Sequence, residues 1–166
     1  ITRHHWQKQA GSREVYRRPV IMGNVDNVLN GAYKSIESSA SHRFSIQWTG
    51  DIGSENYAIA QEVESLIRGG NSGIAYINAD CGGHTGNPDK KTFIRWMQFG
   101  VFSPVFRPHC TNTVKRSREP WTYDEETFEI VKQYNLMRYR LLPVIYKNAY
   151  ENYLTGEPIF KSLGYE

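Results

Sequence analysis

Residues 44–84 read FSIQWTGDIGSENYAIAQEVESLIRGGNSGIAYINADCGGH, and the order of patterns inside this stretch decides the fold. Phe44 to Trp48 is a short strand ending in Thr49-Gly50-Asp51. From Ser54 to Arg68 the period changes: Ile59, Val63, Leu66 and Ile67 fall at i, i+4, i+7 and i+8, one face of a helix. Gly69-Gly70 is a helix stop, and Gly73 to Asn78 is the next strand, ending in Ala79-Asp80 and a Gly82-Gly83 turn. Strand, helix, strand in succession predicts parallel pairing through a crossover helix.

Working outward, the same alternation repeats. Arg18 to Met22 reads as an earlier buried strand, followed by a Gly/Asn/Asp-rich loop from Gly23 to Gly31 and a small, polar segment over 32–42. Asn87-Pro88-Asp89 starts a helix with Phe93, Ile94 and Met97 on one side, and Pro104 to Phe106 is a fourth strand. The last helix has a Thr122/Glu125 capping box and a stripe of Phe128, Val131, Tyr134, Met137, Leu141 and Ile145, with a kink or break expected near Leu142 because Pro143 removes a donor. The class is α/β. A barrel and a doubly wound sheet read alike at this level.

The chain has 166 residues, one domain's worth, with 39% hydrophobic and 22% charged residues. The net charge of +3 is too balanced to point to a nucleic-acid partner, and the basic run Lys115, Arg116, Arg118 reads as a solvated loop. No stretch suits a membrane span, no signal peptide is visible, and a first residue of Ile suggests a fragment or processed chain. Aromatic residues make up 13%, enough for sugar stacking but equally suited to core packing. Cys81 and Cys110 are read as two buried thiols, with one bridge open to them if their loops meet.

Polar residues gather at the strand ends, where active sites of β/α barrels lie. Asp51 fits a carboxylic acid desolvated by Trp48, or an N-cap for the helix beginning near Ser54. Asp80 precedes two glycines that let backbone approach a ligand, or simply caps a turn. His109 fits a hydroxyl-binding group or a structural histidine. Cys81, His84, His109 and Cys110 have the residue types of a zinc site, but not the spacing of a known zinc motif.

Five segments in order resemble glycoside hydrolase family 31: Trp48-Thr49-Gly50-Asp51, Asp80-Cys81-Gly82-Gly83-His84, Arg95-Trp96-Met97-Gln98-Phe99-Gly100, Phe106-Arg107-Pro108-His109 and Arg118-Glu119-Pro120-Trp121. The resemblance covers about residues 18–160. It implies a partial (β/α)8 TIM barrel, roughly the last four βα units, over 18–155, with 1–17 irregular and 156–166 the start of a following β domain. It also implies a retaining hydrolase of α-linked sugars, an α-glucosidase, α-xylosidase or α-galactosidase type, which uses two carboxylates about 5–5.5 Å apart.

By the same resemblance Asp51 matches the general acid/base, and Arg43, Trp48, Asp80 and His109 match residues of the sugar pocket. His84 stands where the family usually has a sugar-contacting aromatic residue, and Ser35 where it usually has an arginine. The family's nucleophile segment, of W-x-D-[ML]-x-E type, does not occur in these residues. The expectation is a hydrolase whose nucleophile and remaining barrel come from other chain, with an oligosaccharide or α-glycoside substrate and no metal or organic cofactor. Two alternatives stand beside it: a non-catalytic carbohydrate-binding remnant of the same fold, and a zinc protein.

Overall fold

The computed structural model describes residues 20–23 and 45–165. The segment 1–17, the loop over 24–42, Ser35 and Arg43 lie outside the described residues. In chain order the elements are β1 (Met22–Gly23), β2 (Ile46–Trp48), α1 (Asn56–Asn71), β3 (Ile77–Asn78), β4 (Asp80–Cys81), α2 (Lys90–Phe102), β5 (Arg107–Pro108), a 3-10 turn (Pro120–Thr122) and α3 (Glu125–Thr155).

All pairing is parallel. Met22 is in register with Ile46, Gln47 with Ile77 and Trp48 with Asn78. Past Ala79 the chain changes partner, and Asp80 and Cys81 pair with Arg107 and Pro108. The run 77–81 is therefore flanked by β2 at its start and β5 at its end. Among the described residues strand order follows chain order with no reversal, which suits a segment of barrel wall. The layer is open at both edges among the described residues. No helix among them is long and apolar enough to cross a membrane.

Helix α2 forms the centre of the packing. Asp89 caps it by accepting from Thr92 N at 2.7 Å. Thr92, Phe93, Trp96, Met97, Gly100 and Val101 make its buried face. Trp96 is fully buried, donates Nε1–H to Ser54 O at 2.9 Å and meets Phe99 edge-on. Phe93 stacks on Tyr123 at 4.4 Å, tying the loop before α3 to this core. Gly100 has no room for a side chain, since a Cβ would press on Phe106 and the Cys81 sulfur.

Several expectations shift. The fourth strand is Arg107–Pro108, not Pro104–Phe106. Pro108 is tolerated because β5 is an edge strand among the described residues. The cap of α3 is Asp124, which accepts from Thr127 N at 2.9 Å; Thr122 instead donates to Glu119 O at 2.7 Å. Helix α3 runs unbroken through Pro143 to Gly156, whose φ of 80° ends it. Only Thr127 and Val131 of its residues are buried, and Met137 and Leu142 are exposed. Arg138 ties α3 to the end of α2 by donating to the carbonyls of Val101 (2.7 Å), Ser103 (2.6 Å) and Pro104 (3.3 Å). Residues 156–165 form no strand, and Phe160 packs beside Leu66 and Ile77.

Helix α1 departs most from its apolar pattern. Gly69 and Gly70 lie inside its last turn rather than ending it. A Cβ at Gly70 would come within 2.9 Å of Pro158 and Phe160 O, so the glycine makes room for the tail; Gly73, at φ +81°, makes the turn. The buried face is Ala58, Glu62, Leu66, Gly69 and Gly70, one residue away from the Ile59/Val63 stripe.

Glu62 is 2% exposed, and burial pushes its carboxyl up to about 8, the nearby Asp80 charge adding to the effect while Thr49 opposes it. The Thr49 hydroxyl beside it donates to Asn78 O at 3.3 Å. An acid whose folded value is raised contributes stability that is complete below its ordinary 4.5 and is lost as pH rises toward about 8. In the full-length protein Glu62→Gln should therefore leave urea stability nearly unchanged near pH 4.5 and raise it by about 2–4 kcal/mol near pH 8. Equal effects at both pH values would contradict a buried, protonated Glu62.

Candidate active site

Three consecutive C-terminal strand ends meet at one face. The turn after β2 carries Asp51, and Gly50 there adopts φ 88°. The loop after β4 carries His84, and the end of β5 carries His109. These loops are bonded through their backbones: His84 N and Thr85 N both donate to Ile52 O, at 2.9 and 3.1 Å, and Thr111 N donates to His84 O at 2.8 Å. The glycines before His84 allow this closeness. Gly82 has φ +99° with the Arg118 side chain against it, and Gly83 has φ +81° with the Ser54 backbone where a Cβ would sit. Gly83→Ala should therefore cost about 2–4 kcal/mol in thermal unfolding, from left-handed strain plus a backbone collision.

Asp80 is completely buried and paired twice. Its Oδ1 accepts from the Arg107 guanidinium, its register partner on β5, and its Oδ2 is 2.8 Å from His84 Nδ1. The other ring nitrogen, Nε2, is 3.3 Å from Asp51 Oδ1. The imidazole thus stands between two carboxylates, with the Trp48 ring at 5.8 Å and the His109 ring at 5.3 Å. Burial holds the His109 imidazole below its ordinary value, favouring the neutral ring; the Asp80 charge pulls the other way.

The face therefore gathers Trp48, Asp51, Asp80, His84 and His109, whereas Arg43 lies outside the described residues. Asp51 is not an N-cap, because α1 begins after Glu55. Nor does Trp48 desolvate it: the Asp51 side chain is 50% exposed among the described residues.

The four-residue zinc arrangement does not form. Cys81 lies in the hydrophobic core, and burial pushes its thiol up to about 12, far from the thiolate that a metal needs. Cys81 and Cys110 are both free thiols. Asp80, His84 and His109 do come within reach of a common point, but a cation there would have to displace Arg107 from Asp80.

Two arginines went unrecognised in the sequence. Arg107 sits inside a motif already singled out, yet its pairing with Asp80 becomes visible only through the register of β4 and β5. Arg118, read as part of a solvated run, is 4% exposed. Its guanidinium donates to Gly83 O (Nε 3.1 Å, Nη2 2.8 Å), Gly86 O (2.9 Å) and Arg116 O (2.8 Å), clamping the loop that carries His84. A cleft of about 240 Å³ opens beside it, lined by Pro108, His109, Cys110, Ser117, Arg118 and Glu119.

A parallel β/α layer that presents carboxylates and imidazoles from successive strand ends has the layout of a catalytic barrel face. The model for the glycosyl hydrolases family 31 TIM-barrel domain matches residues 37–148, and the chain belongs to that family. It is 34% identical over 128 residues to neutral alpha-glucosidase C of Mus musculus, covering 77% of this chain and 14% of that protein. Alpha-glucosidase 2 of Bacillus thermoamyloliquefaciens is 35% identical over 128 residues, covering 77% of this chain and 16% of that one. Among solved structures, the glucosidase II alpha subunit in its Tris-bound form superimposes with a TM-score of 0.67 at 35% identity, over 70% of this chain and 12% of that one. A soil-metagenome family 31 alpha-xylosidase complexed with xylose gives 0.62 at 29% identity, over 68% and 20%. The chain thus spans a small part of the length of each relative.

Proposed function

We propose that the protein carrying this segment is a retaining hydrolase of α-linked sugars, with Asp51 as its general acid/base. The observation that carries this reading is the contrast between the two carboxylates. Asp80 is completely buried with both oxygens engaged, so it cannot approach an anomeric carbon or a leaving oxygen. Asp51 is exposed at the strand end with only one oxygen facing His84. In a double displacement, Asp51 protonates the glycosidic oxygen as the bond to the anomeric carbon breaks. It then removes a proton from the water that releases the sugar.

Trp48 walls the pocket and His109 donates to sugar hydroxyls. Asp80 and Arg107 form the support beneath them. The nucleophile is a carboxylate outside these 166 residues, on an earlier strand of the barrel, of which residues 18–155 supply roughly the last four βα units. Expressed alone, this segment should show no turnover. The relatives' names favour an α-glucoside substrate, and the likeness to an α-xylosidase keeps α-xylosides in range.

Treating the full-length protein with a 5-fluoro-α-glycosyl fluoride should trap a glycosyl-enzyme, seen as a single added sugar mass. Peptide mapping should place the adduct on a carboxylate outside residues 1–166. An adduct on Asp51 or Asp80 would overturn the assignment, and no adduct would favour a sugar-binding protein.

A further inference from the structure

We propose that His84 is the positioning residue of the acid/base, a two-sided imidazole that holds the Asp51 carboxyl in both of its protonation states; this rests on the reading of Asp51 given above. Four observations carry it. First, the ring touches both carboxylates, Asp80 through Nδ1 at 2.8 Å and Asp51 through Nε2 at 3.3 Å. Second, Asp80 is buried and ion-paired with Arg107, so it is a carboxylate that can only accept; Nδ1 must carry a hydrogen. That leaves Nε2 as the nitrogen that faces Asp51. Third, the backbone of His84 is bonded to Ile52 and Thr111, and the preceding turn is held by Arg118. Fourth, the side chain is only 14% exposed, between the Trp48 and His109 rings. The imidazole is therefore held in place with Nε2 3.3 Å from Asp51 Oδ1.

The chemical consequence follows from Nε2 as a donor. Asp51 carries its acid proton on Oδ2, the oxygen away from His84, and that proton passes to the glycosidic oxygen as the bond to the anomeric carbon breaks. The carboxylate left behind is held at Oδ1 by the Nε2–H donor, and Oδ2 then takes the proton of the attacking water, which restores the starting state. The Nε2 hydrogen stays on the ring throughout, and His84 makes no bond to sugar. An aromatic residue at this position could pack against the sugar but could not bond Asp51. The histidine thus gives this protein a control over its acid/base that a hydrocarbon ring cannot supply.

The test compares two leaving groups in the full-length protein, using kcat/KM, which reports the bond-breaking step. Methyl α-glycoside needs full protonation of its leaving oxygen, whereas α-glycosyl fluoride needs little. His84→Phe should lower kcat/KM for the methyl glycoside by about tenfold or more while changing that for the fluoride by less than about threefold. His84→Gln, whose amide NH2 can donate to a carboxylate, should recover much of the loss. A misfolded or merely looser site would lower both substrates together, and that result would overturn the proposal, as would a His84→Phe protein indistinguishable from wild type. Asp51→Asn measured alongside separates the two ideas. If it shows the leaving-group-selective loss and His84→Phe does not, only the role of His84 fails; if Asp51→Asn shows none, the acid/base reading itself fails.

Discussion

Asp51→Asn in the full-length protein should lower kcat/KM for an alkyl α-glycoside by about 10²–10⁴-fold, the range that a positioned general acid contributes. An amide has nearly the shape of the carboxyl, so the turn at Gly50 and the contact with His84 should survive; what disappears is the transferable proton. KM should move little, because the role proposed for Asp51 is chemistry rather than binding. The loss should shrink as the leaving group improves. The fold should be unaffected, since the Asp51 side chain is half exposed and makes no core contact. Unchanged thermal stability alongside the kinetic loss would mark the residue as a reactive group rather than a structural one.

The second large effect is expected on stability. Arg107→Met should cost about 3–5 kcal/mol in urea unfolding, because it leaves Asp80 buried with its principal counter-charge removed. Arg107 itself is partly exposed, at 31% of its side chain, so the arginine loses little by leaving; the penalty belongs to the carboxylate it abandons. Asp80→Asn combined with Arg107→Met should recover part of the loss, which a double-mutant cycle would measure. Catalysis should fall in the same variant, since His84 loses the fixed partner that orients it.

The sequence made some of this legible and hid the rest for identifiable reasons. Strand ends were readable because each couples an apolar run to glycine and a polar residue, as at Trp48-Thr49-Gly50-Asp51 and Asp80-Cys81-Gly82-Gly83-His84. The motif order was more specific than any single motif, and five of the residues it singled out, Trp48, Asp51, Asp80, His84 and His109, come together at one face. Pairings set by strand register were not readable: Arg107 lies 27 positions from Asp80, and only parallel β4–β5 alignment brings them together. Periodicity misplaced the buried face of α1 because Glu62, a residue type that reads as solvent-facing, points inward. Arg118 was misjudged for the same reason, since a run of basic residues gives no sign of which one turns in to find carbonyl groups. The glycines of α1 looked like a stop signal and are instead a seat for Pro158 and Phe160, a tertiary reason with no local trace. The stripe on α3 is apolar, yet most of it is uncovered among the described residues, so the pattern could be seen while its partner could not.

The proposed role of Asp51 as the acid/base of a double displacement is tested most directly by nucleophile rescue. The full-length Asp51→Ala protein would be given an aryl α-glycoside with a good leaving group, with and without azide. A glycosyl-enzyme that lacks its base is attacked slowly by water, but azide needs no proton removed. Azide should therefore restore turnover by at least about tenfold and yield the α-glycosyl azide, the product of two inversions. No rescue, or a β-configured azide, would contradict the assignment of Asp51.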